Sequence, residues 1–430
     1  MLHDRETMNF KFRLPALHWQ IAIAMVLAIA VGLWAPREIG PVKVVAVLDF
    51  LGTLFLRALQ MLVVPLILTS VISSLAKAAG GSHAGRLGWK TALYYCSTGL
   101  LAILTALLVT NIIKPGAVPP EVSQTLISAA KIDASGTAAQ LGSHGAPEMA
   151  GIFLRMVPEN VFAAFTRNAD MLSILFFAIL VGLFSARLPE DRRKPFAEWW
   201  GTFFDVMMEI THWVLRFAPI GIFGLIGETV LTTGVAFLGP VAKFALCVVI
   251  ALLIHMVFTL SIVLRLFGTS PRAHFKAMSP ALLTAFSSAS SAATLPVTMD
   301  CLKNRGVSER VRGFFLPVGA NINTDGTALY ECAAALFIAQ IYGIDITPTV
   351  QFTVVLLALL TSVGVAGVPA ASLVAIVIIL NAIGLPLEAI GLILATDRIL
   401  DMARTSVNVY GDSVGAAVIA KSEGEKLVET

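Results

Sequence analysis

No lysine or arginine occurs between Arg312 and Arg398. That interval holds two apolar blocks, about 311–342 and about 351–381, and each is interrupted by residues that suit a helix interior poorly. NINTDGT breaks the first block and SVGVAGVPAAS splits the second. Apolar blocks of this length belong in a bilayer, yet neither reads as a plain spanning helix. Irregular backbone at membrane depth is stable only where protein or a water-filled cavity supplies its hydrogen-bond partners. The chain must therefore build a helical bundle whose breaks face inward.

The whole sequence fits that environment. Its 430 residues are 57% hydrophobic and 13% charged, with mean hydropathy +0.84. Soluble domains carry about a quarter charged residues, so this is an integral membrane protein. The net charge of +3 is small and the basic residues sit in short loops, which excludes a basic face for nucleic acid. Cys96, Cys247, Cys301 and Cys332 are widely spaced with no CxxC pair, and read as packed apolar thiols, neither a disulfide framework nor a metal centre.

Candidate spans lie at about 17–36, 44–76, 89–113, 150–187, 199–230 and 236–267. Basic clusters follow alternate spans: Lys77, Arg86 and Lys90; Arg187, Arg192, Arg193 and Lys194; Arg265, Arg272 and Lys276. The positive-inside rule then places the N-terminus in the cytoplasm, with residues 1–16 as a retained tail. Residues 115–150, rich in Pro, Gly and Ser, read as a long external loop. Residues 278–300 carry TAFSSASSAATLP at their centre and have basic residues on both flanks, which makes them a re-entrant hairpin from the cytoplasm. The block at 351–381 is a second hairpin, entering from outside, and a last span at 385–421 returns to a cytoplasmic C-terminus. Hairpin and broken span, then hairpin and polar span, form two units entering from opposite sides. Such inverted repeats mark many secondary transporters. The fold expected is an all-α membrane protein of eight spans and two re-entrant helical hairpins.

The polar residues cluster in this half. In DRILDMARTSVNVYGD (397–412), Asp401, Arg404, Thr405, Asn408 and Asp412 share one helical stripe, with Asp397 beside them. Such a stripe faces a cavity or other protein, and is a candidate site by default. Arg404 can fork two hydrogen bonds onto a carboxylate, and Asp401, one turn earlier, can hold an ammonium. Together they match an acidic amino acid; the alternative is that they pair with each other. The break 321–327 offers amides, hydroxyls, a carboxylate and freed carbonyls, oxygen ligands that suit a hard cation, against a kinked helix whose polar groups satisfy one another. Glu331 is a candidate proton carrier, or a structural acid within the bundle. The serines 287–291 sit in no G-x-S-x-G elbow, which weighs against an intramembrane hydrolase, and His255 reads as packing within its own span. Asp205, Glu209, His212 and Arg216 recur at helical spacing as a solvated or inter-helix face.

Four motifs in order, SSAATLPVTM (290–299), NINTDGTALYE (321–331), GVAGVP (364–369) and DRILDMARTSVNVYGD (397–412), make residues 44–422 resemble the dicarboxylate/amino acid:cation symporters. This resemblance implies a homotrimer in membrane lipid, with 17–76 and 150–230 mainly as trimerisation scaffold. Spans 89–113 and 236–267 and the core 272–421 would form a moving transport domain. It implies a sodium-coupled, alternating-access carrier of glutamate or aspartate, with sodium as coupling ion, no cofactor and no enzymatic reaction. A neutral amino acid carrier, a C4-dicarboxylate carrier, a proton-coupled glutamate carrier and an anion channel are the alternatives. The substrate ligands it implies are Ser290, Ser291, Thr327, Val368, Asp401, Arg404, Thr405 and Asn408. The sodium ligands would be Gly319, Asn323, Asn408 and Asp412; Asn321, Ser362, Val363 and Val365; and Tyr95, Thr98, Asn323 and Asp325. Thr324 stands where the family usually has Met, Gly99 and Ala292 replace common serines, and Ala289 stands where archaeal members have arginine. Glu331 matches the animal glutamate carriers, and Asp412 favours sodium because proton-coupled bacterial relatives tend to carry Asn there.

Overall fold

A computed structural model describes residues 17–34, 38–39, 42–78, 86–129, 157–165, 171–185, 187–233, 238–344, 346–364 and 371–428. Among these the protein is helical apart from one short ribbon, Glu38–Ile39 (β1) antiparallel to Val42–Lys43 (β2). The first helices are α1 (Leu17–Trp34), α2 (Val44–Ala78), α3 (Arg86–Ile113), α4 (Pro120–Ala129), α5 (Val161–Phe165), α6 (Met171–Ser185), α7 (Glu190–Leu215) and α8 (Ala218–Thr233). There follow α9 (Leu238–Ile254), a π turn (His255–Thr259) and α10 (Leu260–Leu266). The C-terminal part holds α11 (Pro271–Ser288), α12 (Ser291–Asn304), α13 (Glu309–Ile322), α14 (Asp325–Ile341), α15 (Pro348–Gly364), α16 (Ala371–Ala382), a 3-10 turn (Leu387–Ile390) and α17 (Gly391–Ser422).

Packing divides these helices into two groups. In one, α2 packs against α6, α7 and α8, and α1 lies on α8. In the other, α14 and α17 form an axis packed by α3, α9, the pair α11–α12, α13, α15 and α16. Nearly every residue of α14 is buried, Asp325 and Glu331 included. A helix apolar all round belongs at the centre of a bundle. Outward faces are apolar as well: Trp19, Val26, Trp34, Leu54, Trp89, Ile112, Phe258 and Leu283 are exposed. Large exposed apolar surface of this extent suits hydrocarbon as solvent, and the protein is a helical membrane protein. By length and composition, Leu87–Ile113 and Leu238–Leu266 are each able to cross a bilayer.

Several boundaries differ from the sequence reading. The span expected at 199–230 is two helices, α7 and α8, bent by 53°. Pro219 lacks the N–H that would continue the ladder, so the chain starts a new helix there. Within the segment read as an external loop, 120–129 is helical. Pro120 opens α4, Glu121 lies in its first turn, and Ser123 docks it by donating to the Ile341 carbonyl at 2.5 Å. Residues 130–150, and 151–156, 166–170 and 186 of the fourth expected span, lie outside the described residues; the described part of that span holds α5 and α6. Asp205, Glu209, His212 and Arg216 are exposed along α7, as their spacing predicts.

The segments expected as hairpins each hold a packed pair of helices. The first, α11–α12, turns at Ala289 and Ser290. Ala289 takes the left-handed conformation, φ 50°, unusual for a residue with a Cβ. Ser288 and Ser290 brace the turn, the Ser290 amide donating to the Ser288 hydroxyl at 3.3 Å. The second pair is α15–α16, whose connection, 365–370, lies outside the described residues. Beyond α17 the chain folds back as a strap. Lys90 donates to the Ser422 hydroxyl at 2.8 Å and meets Glu423 at 2.6 Å. Glu425 accepts from both the Ser308 amide and the Ser308 hydroxyl, and Val428 exchanges hydrogen bonds with buried Arg305. These contacts tie the ends of α3, α12 and α17 to the start of α13.

Candidate functional site

The helix expected at 311–342 is indeed broken. α13 ends at Ile322, α14 begins at Asp325, and between them Asn323 is extended and Thr324 is non-helical, with φ -130° and ψ 58°. The N-terminus of α14 is pressed against α17. A Cβ on Gly326 would lie 2.8 Å from the Arg404 carbonyl and 3.1 Å from Asn408 Oδ1, so only glycine permits this approach. Asn408 uses the closeness: its Oδ1 accepts from the Gly326 amide at 2.8 Å, and its Nδ2 donates to the Thr327 hydroxyl at 3.2 Å. An amide from one helix thus caps the next.

Arg404 projects from α17 into the bundle and is fully buried. Its Nη2 donates to Asp401 Oδ1 at 2.9 Å, and its Nη1 is 3.2 Å from Asp397 Oδ1 without the alignment of a hydrogen bond. Asp401 is also 3.5 Å from Arg398 Nη1. The guanidinium carbon stands 3.9 Å from the Tyr330 ring centroid, a cation–π contact. The internal Asp401–Arg404 pair left open by the sequence is therefore formed here. It does not exhaust the arginine, since Nε and Nη1 have no hydrogen-bond partner among the described residues. Buried donors left over in this way are exceptional and point to a missing acceptor. Thr405 turns its hydroxyl back onto the Asp401 carbonyl at 2.8 Å.

About two turns along α17, a second cluster has no such cation. Asp412 Oδ1 accepts from Asn323 Nδ2 at 2.9 Å, and a Cβ on Gly319 would stand 2.9 Å from the Asp412 carboxyl carbon. Asp325 accepts from the Thr98 hydroxyl at 3.3 Å and lies 3.4 Å from His255 Nε2. A Cβ on Gly411 would meet Asp325 Oδ2 at 3.0 Å. Tyr94 donates to the Gly411 carbonyl and Tyr95 to the Phe315 carbonyl, both at 2.9 Å. Asp325 and Asp412 are 1% and 3% exposed, and among the described residues neither is ion-paired with Lys or Arg. Hard oxygen donors gathered at a buried site that holds two carboxyl groups suit a hard cation. Among the described residues no three His, Cys, Asp or Glu side chains converge as a metal cluster, so carbonyl, amide and hydroxyl oxygens would complete any shell.

The structure thus brings together Tyr95, Thr98, Gly319, Asn323, Asp325, Thr327, Arg404, Thr405, Asn408 and Asp412 around the break and one face of α17. Ser362 joins them from the last turn of α15, its carbonyl accepting from Thr324 at 3.2 Å. The Ser290 hydroxyl caps α12 within its own hairpin, accepting from the Ala293 amide at 3.2 Å, and half-buried Ser291 begins that helix. The side chains of Asn321 and Val363, and Val365 and Val368 entirely, lie outside the described residues. Glu331 is buried, with Oε2 accepting from Thr361 of α15 at 2.8 Å.

Three participants escaped the sequence reading. Tyr330, present in the sequence reading only within the motif at 321–331, forms the platform under Arg404. His255, expected to pack within its own span, is buried on a π turn against Asp325. Thr361 anchors Glu331. Only His255 carried a signal, because a lone imidazole in an apolar span needs a partner.

The sequence profile of the sodium:dicarboxylate symporter family matches residues 17–422. The chain is 36% identical over 417 residues to the proton/glutamate-aspartate symporter of Escherichia coli (strain K12), covering 96% of this chain and 94% of that protein. It is 36% identical over 409 residues to the proton/sodium-glutamate symport protein of Bacillus caldotenax, covering 95% of each. It is 31% identical over 412 residues to the C4-dicarboxylate transport protein of Bacillus subtilis (strain 168), covering 94% of this chain and 93% of that one.

Proposed function

The chain belongs to the sodium:dicarboxylate symporter family, and on that premise we propose that it carries glutamate or aspartate across the cell membrane by sodium-coupled alternating access. It is a transporter, not an enzyme. The observation that carries the substrate reading is buried Arg404, with two donors unspent and two carboxylates beside it. A substrate side-chain carboxylate would take the free edge of the guanidinium, and its ammonium would take Asp401. Thr405, Thr327 and Asn408 supply further hydrogen bonds, and the backbone of Ser290, Ser291 and Val368 would close the pocket from the hairpin tips. C4-dicarboxylates would leave Asp401 without an ammonium to hold, which favours the amino acids.

Asp412, Gly319, Asn323 and Asn408 would hold one sodium ion. Asp325, Asn323, Tyr95 and Thr98 would hold another, and carbonyls near Asn321, Ser362, Val363 and Val365 a third. Glu331 is the candidate for an accompanying proton, because it reaches the second hairpin through Thr361. In this reading eight spans and two re-entrant hairpins form a homotrimer with cytoplasmic termini. The group built on α2 serves as scaffold, and the group around α14 and α17 moves. Sodium favours the conformation in which the broken helix and second hairpin close over substrate, and substrate favours it as well, which is coupling. A competition panel against radiolabelled aspartate tests the substrate class. Unlabelled aspartate and glutamate should compete and serine and succinate should not; succinate competing as well as aspartate would overturn the amino acid assignment.

A further inference from the structure

Thr324 is the N-cap of α14 yet does not cap it. A threonine at that position ordinarily accepts a hydrogen bond from an amide two or three residues on. Here the Gly326 amide is taken by Asn408 instead. The freed Thr324 hydroxyl crosses to α15 and donates to the Ser362 carbonyl at 3.2 Å. Ser362 lies in the last turn of α15, which ends at Gly364, among carbonyls that have no partner within their own helix. α13 also ends beside this point, at Ile322. Two helix C-termini, each carrying about half a negative charge, therefore meet at Thr324, which is 8% exposed. A buried place of that kind calls for a positive ligand, either a cation or a polarised hydrogen.

We propose that the Thr324 hydroxyl is a positioning latch: it fastens the end of α15 to the broken helix by a hydrogen bond to the Ser362 carbonyl, beside the sodium ion read there, and so lowers the sodium concentration needed to close the site. The residue acts through Ser362 and touches no substrate, so it is a positioning residue. The inference rests on the sodium-coupled reading above. The latch itself depends only on the side-chain geometry.

The test uses the full chain in proteoliposomes, with aspartate KM measured at limiting and at saturating sodium for wild type, Thr324→Val and Thr324→Ser. Removing the hydroxyl should raise KM about three- to tenfold at limiting sodium, the range for one lost hydrogen bond. The difference should close at saturating sodium, and Thr324→Ser should behave as wild type. An equal KM penalty at both sodium levels would show a merely structural role, and no penalty at either would remove the latch; both overturn the proposal. Hydrogen exchange of the amides at 359–364 in purified sodium-free protein reads the latch without transport. It should quicken in Thr324→Val, or in Thr324→Ala if the valine variant does not fold, and stay unchanged in Thr324→Ser. Unchanged exchange in every variant overturns the latch. Faster exchange in a protein whose uptake ignores sodium would leave the latch standing and refute the sodium reading and the sodium half of the proposal.

Discussion

Two carboxylate layers lie along one face of Gly391–Ser422, and they meet the cost of a buried charge differently. The Arg404 layer holds its own cation: Asp397 and Asp401 flank a guanidinium that rests on Tyr330. The Asp412 layer, with Asp325, is surrounded by Asn323, Thr98, the two tyrosines and His255, and among the described residues no Lys or Arg pairs with it. Arg404 is roughly 12 Å along the helix from Asp412 at 1.5 Å per residue, too far to pair with it. A layer with a built-in cation and spare donors is ready for an anionic or zwitterionic ligand. A layer with carboxylates and neutral oxygens awaits a cation or a proton. Asn408 sits between them and bonds to the start of α14, so ligands of either layer act on the same helix end.

The sharpest way to break this comparison is Arg404→Cys. It leaves buried Asp397 without its cation, a loss of about 3–5 kcal/mol, and half-buried Asp401 with only Arg398, 3.5 Å away. Initial aspartate uptake, normalised to protein, should fall by at least about 100-fold; retained uptake would mean the upper layer does not hold substrate. Next is Asp412→Asn, which removes one of the two carboxylates of the cation-free layer and leaves the arginine layer intact. The sodium concentration for half-maximal uptake should rise about tenfold or more, as for loss of a charged partner, with aspartate KM at saturating sodium little changed. A parallel loss of both would merge the two layers into one. Asn408→Ala should cost about 1–3 kcal/mol by stranding the Gly326 amide. It should raise aspartate KM roughly fivefold and lower the melting temperature, and an effect on stability alone would remove it from the link between layers. Glu425→Ala, in the C-terminal strap outside both layers, should cost about 1 kcal/mol of capping and at most a few degrees of melting temperature. It should leave sodium dependence as it was.

The stripe itself was readable, since Asp401, Arg404, Asn408 and Asp412 follow from helical spacing, and so was the break at Asn323 and Thr324. What was not readable involves contacts between residues far apart in sequence. Periodicity cannot show that His255 meets Asp325, that Thr361 meets Glu331, or that Thr324 reaches Ser362. The strap was hidden for the same reason: Glu425 looks like a charged tail residue until Ser308 is placed beside it. The bend between α7 and α8 had a signal in Pro219 that the continuous apolar pattern outweighed.

The central claim is that the cation-free layer takes sodium while the arginine layer takes an acidic amino acid. Uptake of radiolabelled aspartate into proteoliposomes, with external sodium replaced by choline at fixed pH on both sides, tests it directly. Accumulation should require the inward sodium gradient and vanish without it; accumulation of equal rate and extent in choline would contradict the account.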